Sequence, residues 1–125
     1  MLVLDAGAFI AAERGSRDVV ALVKREREHG RTPITNGGVV AQVWRGGSGK
    51  QAPVARLLAS VEVVAVDDHL GRRAGLLLAL TGTAEVVDAS VICLARDGDD
   101  ILTSDPADLL ELARAAGAHV ELIPV

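Results

Sequence analysis

Aromatic residues are almost absent from this 125-residue chain, which contains one Phe, one Trp and no Tyr. Half of the residues are nevertheless hydrophobic, so the core has to be built from Ala, Val, Leu and Ile. A core of this kind suits helices packed closely on a sheet. At this length we expect one domain, residues 1–125, that is large enough for a genuine core.

Cysteine and long apolar runs are also scarce. The single cysteine, Cys93, excludes an intramolecular disulfide framework, and its apolar helical surroundings predict a small core residue. No apolar stretch approaches the roughly 20 residues that span a bilayer. The apolar run at the N-terminus lacks the basic segment and cleavage site of a signal peptide. We therefore expect a cytoplasmic protein that makes no use of a membrane.

Two common kinds of catalytic motif are missing. His29, His69 and His119 fall in unrelated places, which argues against zinc hydrolases and Ser-His-Asp triads. The glycine-rich segment 46–50 lacks the spacing of a P-loop and does not follow a predicted strand.

The net charge of -4 argues against a protein that holds nucleic acid by bulk electrostatics. That argument weakens if the acidic residues are concentrated in a site that binds cations. Basic residues crowd the first quarter of the chain, and they form either a solvated helix face or a rim that faces phosphates. They are Arg14, Arg17, Lys24, Arg25, Arg27 and Arg31.

Hydrophobic periodicity and turn residues predict strands that alternate with helices along the whole chain. We expect strands at 1–5, 32–35, 61–66, 101–103 and 119–123. We expect helices at 7–13, 16–30, 36–44, 51–59, 67–81, 84–96 and 105–117, with Ser16, Thr83 and Asp105 as N-caps. The strands are nearly continuously apolar, which is typical of a parallel sheet covered on both faces. The predicted fold is therefore α/β, with a doubly wound, mainly parallel sheet of about five strands flanked by helices.

Acidic residues recur where predicted strands end. Asp5 and Asp105 each follow a short apolar strand, and adjacency of the two strands at the switch point of the sheet would bring them together. Asp88 is isolated among apolar neighbours, in a helix whose first turn we expect it to follow. Clustered carboxylates repel one another and are usually neutralised by a cation, so a divalent-metal site is the first hypothesis.

Each of these acids also has a structural interpretation. Asp5 and Asp105 are possible helix caps, while Asp108 and Glu85 are placed to complement a helix dipole. Asp88 is harder to explain in this way, because a buried unpaired carboxylate costs several kcal/mol and needs a partner. That partner is either an arginine or a metal ion. Mg²⁺ suits the acid set, since it uses a few carboxylates and takes its other ligands from water and phosphate.

Taken together, several segments resemble a PIN domain of the VapC toxin type. They are Leu4-Asp5-Ala6-Gly7, Ala41-Gln42-Val43-Trp44-Arg45, Val87-Asp88-Ala89 and Thr103-Ser104-Asp105-Pro106-Ala107-Asp108-Leu109. The resemblance covers essentially the whole chain and implies an endoribonuclease that depends on Mg²⁺ or Mn²⁺. It also implies an RNA substrate, a small antitoxin partner and a homodimer. The family's first, third and fourth acidic positions correspond to Asp5, Asp88 and Asp105, which would be the metal ligands, and Ser104 corresponds to a hydroxyl that helps to order the nucleophilic water.

The chain departs from the family at the second acidic position, where Gln42 stands in place of Glu. The amide keeps one coordinating oxygen but loses the charge. Three interpretations remain open: the site works with one charge fewer, with Glu85 or Asp108 compensating; it binds metal poorly and acts slowly; or the protein is a non-catalytic module that binds RNA or regulates a partner.

Two other folds with clustered aspartates fit less well. A phosphorelay receiver domain needs an acidic pair after its first strand and a lysine after its last, whereas Ala6 follows Asp5 and the chain ends Leu-Ile-Pro-Val. A haloacid-dehalogenase-type phosphatase needs a second Asp two positions beyond Asp5, where Gly7 stands.

Overall fold

Strands alternate with helices in the computed structural model, which describes residues 1–125. The strands are β1 (Leu2–Leu4), β2 (Ile34–Asn36), β3 (Glu62–Val64), β4 (Asp100–Thr103) and β5 (Glu121–Pro124). The helices are α1 (Ala6–Glu13), α2 (Arg17–Glu28), α3 (Gly37–Val43), α4 (Ala52–Ala59), α5 (Asp68–Thr81), α6 (Val86–Leu94) and α7 (Pro106–Ala116), with a 3₁₀ turn at Gly49–Gln51.

The five strands form one sheet in the order β3-β2-β1-β4-β5, and every neighbouring pair is parallel. The chain winds from β1 to β3 in one direction and then returns to β4 and β5 on the other side of β1. The winding therefore reverses between β1 and β4, where ligands of such sheets bind. Helices flank the sheet, and the prediction of a doubly wound parallel α/β fold is confirmed.

The core is aliphatic, as the composition requires. Its buried cluster has 22 members, of which Phe9 is the single aromatic residue, while Trp44 is 38% exposed. Cys93 is half-buried and packs against this cluster, in agreement with the predicted role of a small core residue. The two central strands β1 and β4 supply Leu4, Ile101 and Leu102, which are fully buried.

Several predicted boundaries were wrong. The strand predicted at 61–66 is limited to Glu62–Val64, and Val63 is 45% exposed because β3 lies at the edge of the sheet. Thr83 does not cap α6, which begins at Val86 after Glu85. Ser16 occupies the N-cap position of α2, but its side chain makes no capping hydrogen bond.

No single helix has the length and apolar character needed to cross a membrane. Only α5 and α6 taken together reach that length and composition, and the two are bent by 114° at their junction.

Candidate metal centre

The pairing of β1 with β4 brings the first and fourth acidic positions together. Leu4 is in register with Leu102, and the backbone N–H of Asp5 donates to the Leu102 carbonyl over 3.0 Å. Asp5 thus leaves β1 at the point where β4 is about to end. Asp105 follows β4 two residues after its last member, Thr103. The sheet therefore places both carboxylates at its carboxyl edge, at the point where the winding reverses.

Thr103 connects these two acids. Its Oγ1 donates a hydrogen bond to Asp5 Oδ2 over 2.9 Å and accepts one from the backbone N–H of Asp105 over 3.0 Å. Asp5 and Asp105 both occupy N-cap positions, of α1 and α7, yet neither side chain makes a capping hydrogen bond. The prediction that these two side chains cap helices is therefore wrong, although both residues occupy N-cap positions. Thr103 is fully buried, and nothing in its local sequence predicts this role.

Gly7 allows the first turn of α1 to approach the end of β4. A Cβ atom at this position would lie 2.5 Å from Ser104 Oγ and 2.6 Å from Ser104 N. No side chain fits there without displacing Ser104. The glycine that follows Asp5 is therefore part of the packing that holds Asp5 close to the Ser104–Asp105 segment.

Helix α6 carries Asp88 to the same edge. Asn36 Nδ2 donates to Ser90 Oγ over 3.0 Å, and Ser90 Oγ donates to the Val87 carbonyl over 2.6 Å. Asn36 also caps α3, because its Oδ1 accepts hydrogen bonds from the N–H groups of Gly38 and Val39. This buried pair ties α6 to the start of α3. The expectation that Asp88 follows the first turn of its helix was wrong, since α6 begins at Val86 and Asp88 lies within that turn.

Five acidic residues line one cavity of about 540 Å³: Asp5, Glu85, Asp88, Asp105 and Asp108. The side chains of Glu85 and Asp88, three positions apart, are thus on the same side of the molecule. The departure from the family pattern, Gln42, also lines this cavity and is exposed. The complete lining is Asp5, Ala6, Gly7, Ile10, Gln42, Arg45, Glu85, Asp88, Ser104, Asp105 and Asp108.

None of the carboxylates in this cavity takes part in an ion pair. The three ion pairs of the structure involve Asp99, Glu26 and Asp68, and none of these acids lines the cavity. Burial, followed by repulsion from Asp5 and Glu85 and then from Asp105 and Asp108, raises the pKa of Asp88 to about 6. An arginine partner for Asp88, the alternative considered from sequence, is not present.

The pKa of Asp5 is also raised. Burial is the main cause, and the negative charge of Asp105 adds to it. Hydrogen bonds from the backbone of Ala6 and from Thr103 act in the opposite direction by stabilising the ionised form. Asp5 is 3% exposed, so its charge has little access to solvent. Holding the carboxylates of Asp5 and Asp88 close together at neutral pH is therefore energetically unfavourable.

The chemistry of this donor set fits a hard divalent cation. No three His, Cys, Asp or Glu side chains converge closely enough to ligate one ion directly. Mg²⁺ does not require such a cage, because it commonly keeps several waters and binds through one or two carboxylates. Asp5 and Asp88, with Asp105 as a third, water-mediated partner, therefore fit Mg²⁺ or Mn²⁺, whereas the absence of His and Cys ligands disfavours zinc.

Arg45 is the one cationic residue in the cavity lining, and a buried amide fixes its backbone. Gln51, which is 5% exposed, accepts a hydrogen bond from Arg45 N over 2.6 Å at its Oε1. Gln51 Nε2 donates to the Val43 carbonyl over 2.7 Å and to Glu13 Oε2 over 3.1 Å. The sequence contains Arg45 within a family-like segment, but the role of Gln51 depends on loop geometry that no local pattern reveals.

Comparison with known proteins supports the fold but does not place the chain in a family. No protein-family model matches the chain, and no curated protein matches it. Among solved structures, the chain resembles VapBC2 from Rickettsia felis bound to a DNA fragment from its promoter, with a TM-score of 0.69 and 12% sequence identity. The alignment covers 97% of each chain. At this identity the likeness shows the fold, which is PIN-like and similar to that of VapC.

Proposed function

We propose that this protein is an endoribonuclease that depends on Mg²⁺ or Mn²⁺ and hydrolyses RNA phosphodiester bonds. The observation that carries the proposal is that Asp5, Asp88 and Asp105, none of which forms an ion pair, line one cavity at the switch point of the sheet. Hydrolysis at phosphorus needs charge stabilisation rather than a histidine base, and a divalent cation supplies that stabilisation when it is bound.

The residues of the cavity have distinct tasks in this account. Asp5 is oriented by Thr103 Oγ1 and presents its carboxylate from the end of β1. Asp88 approaches from α6, and Asp105 contributes to the site through water. Ser104 Oγ has no hydrogen-bond partner within the protein and lines the cavity, so it is available to hold the attacking water.

The biological context that we propose is a toxin–antitoxin pair in the cytoplasm. One fold neighbour is VapBC2 from Rickettsia felis, bound to a DNA fragment from its promoter, and a likeness along 97% of each chain supports a similar arrangement with a small antitoxin. Overproduction of the wild-type chain should then arrest growth, and Asp5→Asn should abolish the arrest. Arrest by the Asp5→Asn variant would contradict the catalytic explanation.

A homodimer is part of the same proposal. Leu76 and Leu80 on α5 are 71% and 74% exposed, and Val86 at the start of α6 is 56% exposed. These side chains supply an apolar surface that a second copy would cover. Light scattering should report a dimer for the wild type and a monomer for Leu76→Glu/Leu80→Glu, whereas a monomeric wild type would refute the proposed dimer.

The second candidate function is a catalytically weakened PIN-like module that binds RNA or regulates a partner. Gln42 favours it, because this residue lines the cavity and contributes no charge. The first candidate remains the better supported, since Glu85 and Asp108 line the same cavity and supply additional carboxylates.

Cleavage of a mixed RNA pool distinguishes the two candidates. Wild-type protein should cut RNA in the presence of Mg²⁺ or Mn²⁺ but not after chelation, and Asp5→Asn/Asp88→Asn should not cut it. Equal cleavage by both proteins would assign the activity to a contaminant. Binding of RNA without metal-dependent cleavage would establish the weakened module instead.

A further inference from the structure

The acidic cavity lies next to a second cavity of about 650 Å³. Gly7, Ile10 and Ser104 line both of them. The second cavity is completed by Ala11, Arg14, Gly15, Ser16 and Val125. The two cavities are therefore adjacent, and we call them together the α1 cleft; Gln42 and Arg45 line one half and Arg14 lines the other, with Ser104 between them.

Each half of the α1 cleft contains one arginine that has no acidic partner. Neither Arg14 nor Arg45 takes part in an ion pair. Arg45 Nη1 donates to the carbonyls of Ala41 and Trp44, which leaves the Nε and Nη2 groups free. The Ser16 hydroxyl, which lines the same cavity as Arg14, makes no capping hydrogen bond to α2. In a chain of net charge -4, these unpaired donors are suited to an anion.

The structure also separates Arg14 from the other members of the basic cluster seen in the sequence. Lys24 and Arg27 line a different cavity between α2 and α4, and Arg31 pairs with Glu26. Arg14 alone among the six lines the cavity next to the acidic one. Of the six basic residues, it is therefore the one placed for the alternative of a rim that faces phosphates.

Arg45 is held in place before any ligand binds. The Gln51 amide joins Arg45 N and the Val43 carbonyl to Glu13 on α1. The segment that carries Arg45 is thus fixed to the same helix that forms one wall of the α1 cleft. Preorganisation of this kind reduces the entropy that is lost when a ligand binds.

We propose that the α1 cleft binds a single RNA strand over more than one nucleotide, an inference that rests on the proposed function. The phosphate to be cleaved lies over the carboxylates beside Arg45, and Arg14 with Ser16 holds the phosphate of the neighbouring nucleotide beyond Ser104. Ile10, which is 40% exposed and lines both cavities, offers the strand an apolar surface between these two positions. Arg14 and Arg45 are therefore substrate-binding residues on either side of a shared ridge.

The test measures binding rather than cleavage. Fluorescence anisotropy with a labelled RNA hexanucleotide and a labelled dinucleotide is recorded at several salt concentrations in Mg²⁺. All proteins carry Asp88→Asn to prevent hydrolysis. Arg14→Ala and Arg45→Ala are compared with Arg114→Ala, an exposed arginine on α7 that lines neither cavity and forms no ion pair. Circular dichroism and thermal melting check that each variant folds. If Arg14→Ala does not fold, Arg14→Lys, which keeps the positive charge, takes its place.

Arg14→Ala and Arg45→Ala should each weaken hexanucleotide binding about fivefold and reduce the slope of log K against log salt by about 0.7, the value for one phosphate contact on a single strand. Arg14→Lys should retain the salt slope of the parent protein, and Arg114→Ala should change neither the affinity for the hexanucleotide nor the slope. The dinucleotide, which has no neighbouring phosphate, should bind the Arg14→Ala variant as well as it binds the parent protein.

Unchanged slopes in both arginine variants, or no RNA binding by the parent, would overturn the proposal. The binding experiment and the cleavage experiment can fail independently of each other. Metal-dependent cleavage by the wild type together with unchanged slopes would reject the α1 cleft alone, whereas reduced slopes without cleavage by the wild type would retain the cleft and reject the nuclease.

Discussion

Thr103 Oγ1 donates a hydrogen bond to Asp5 Oδ2 over 2.9 Å, between residues that are 98 positions apart in the chain. The same oxygen accepts a hydrogen bond from Asp105 N. One buried hydroxyl therefore links the carboxylate of Asp5 to the backbone of Asp105 across two neighbouring strands. In our account this arrangement, rather than a ready-made ligand cage, prepares the site for a cation.

Replacement of Thr103 by Val should destabilise the protein by about 1–3 kcal/mol, because it leaves a buried carboxylate oxygen without its donor. It should also weaken Mn²⁺ binding. Thr35→Val is the matched control, since Thr35 is equally buried and donates to the Leu4 carbonyl. Denaturant unfolding should show a cost for both variants, whereas calorimetry should show weaker Mn²⁺ binding only for Thr103→Val. Equal metal affinity in the two variants would mean that Thr103 has no influence on the site.

The stability of the protein should depend on the ionisation of Asp88. Its pKa is raised in the folded state from 3.8 to about 6, so the folded state binds the proton more tightly than the unfolded chain does. Stability contributed by this group is complete below about pH 4 and is lost as the pH rises toward 6.

Asp88→Asn should therefore stabilise the metal-free protein by about 1–2 kcal/mol at pH 7.5, a figure discounted for partial solvent screening, and by almost nothing at pH 4. Denaturant unfolding at both pH values, in the presence of a chelator, measures this difference. A gain of the same size at both pH values would show that the effect does not arise from the charge of Asp88.

Gly7→Ala should cost about 1–3 kcal/mol or more, because the added methyl group would overlap Ser104. It should also reduce metal binding by moving Ser104 and Asp105 away from Asp5. Gly75→Ala in α5 is the control, since a Cβ there meets nothing within 4 Å. This control should stabilise the protein by about 0.5–1 kcal/mol. Thermal melting of the two variants provides the comparison, and a stable Gly7→Ala protein would contradict the packing argument.

Gln42→Glu should tighten Mg²⁺ or Mn²⁺ binding about fivefold, or ~1 kcal/mol, because it adds a carboxylate to a cavity that attracts cations. Ala41→Glu adds the same charge to the neighbouring exposed position, which does not line the cavity, and should leave the affinity nearly unchanged. An affinity for Gln42→Glu that is unchanged or weaker would mean that this side chain does not reach the cation.

Much of this arrangement could be predicted because it follows from local patterns. The apolar runs before Asp5 and Asp105 predicted two buried strands, and the alternation of strands with helices predicted the parallel winding that makes them neighbours. Asp67, where a helix was predicted to begin, caps α5 by accepting a hydrogen bond from Leu70 N. Gly117, where the last helix was predicted to end, has a φ of 65° that suits glycine.

The features that escaped prediction depend on contacts between distant segments. A threonine at the end of a strand has no distinctive pattern, and the role of Thr103 emerges only when β4 pairs with β1. The same holds for Gln51, whose partners lie on α1 and around the end of α3. The predicted strand at 61–66 was too long because its apolar composition does not reveal an edge position, where Val63 is exposed. Thr83 was an acceptable capping residue by type, but α6 begins three residues later.

Calorimetric titration of Mn²⁺ into wild-type protein and into Asp5→Asn/Asp88→Asn, at about pH 7.5, tests the central claim most directly. Our account predicts saturable binding to the wild type with displacement by excess Mg²⁺, and loss of that binding in the double variant. Absence of binding to a folded wild-type protein, or equal binding to both proteins, would contradict the assignment of these carboxylates to a metal centre.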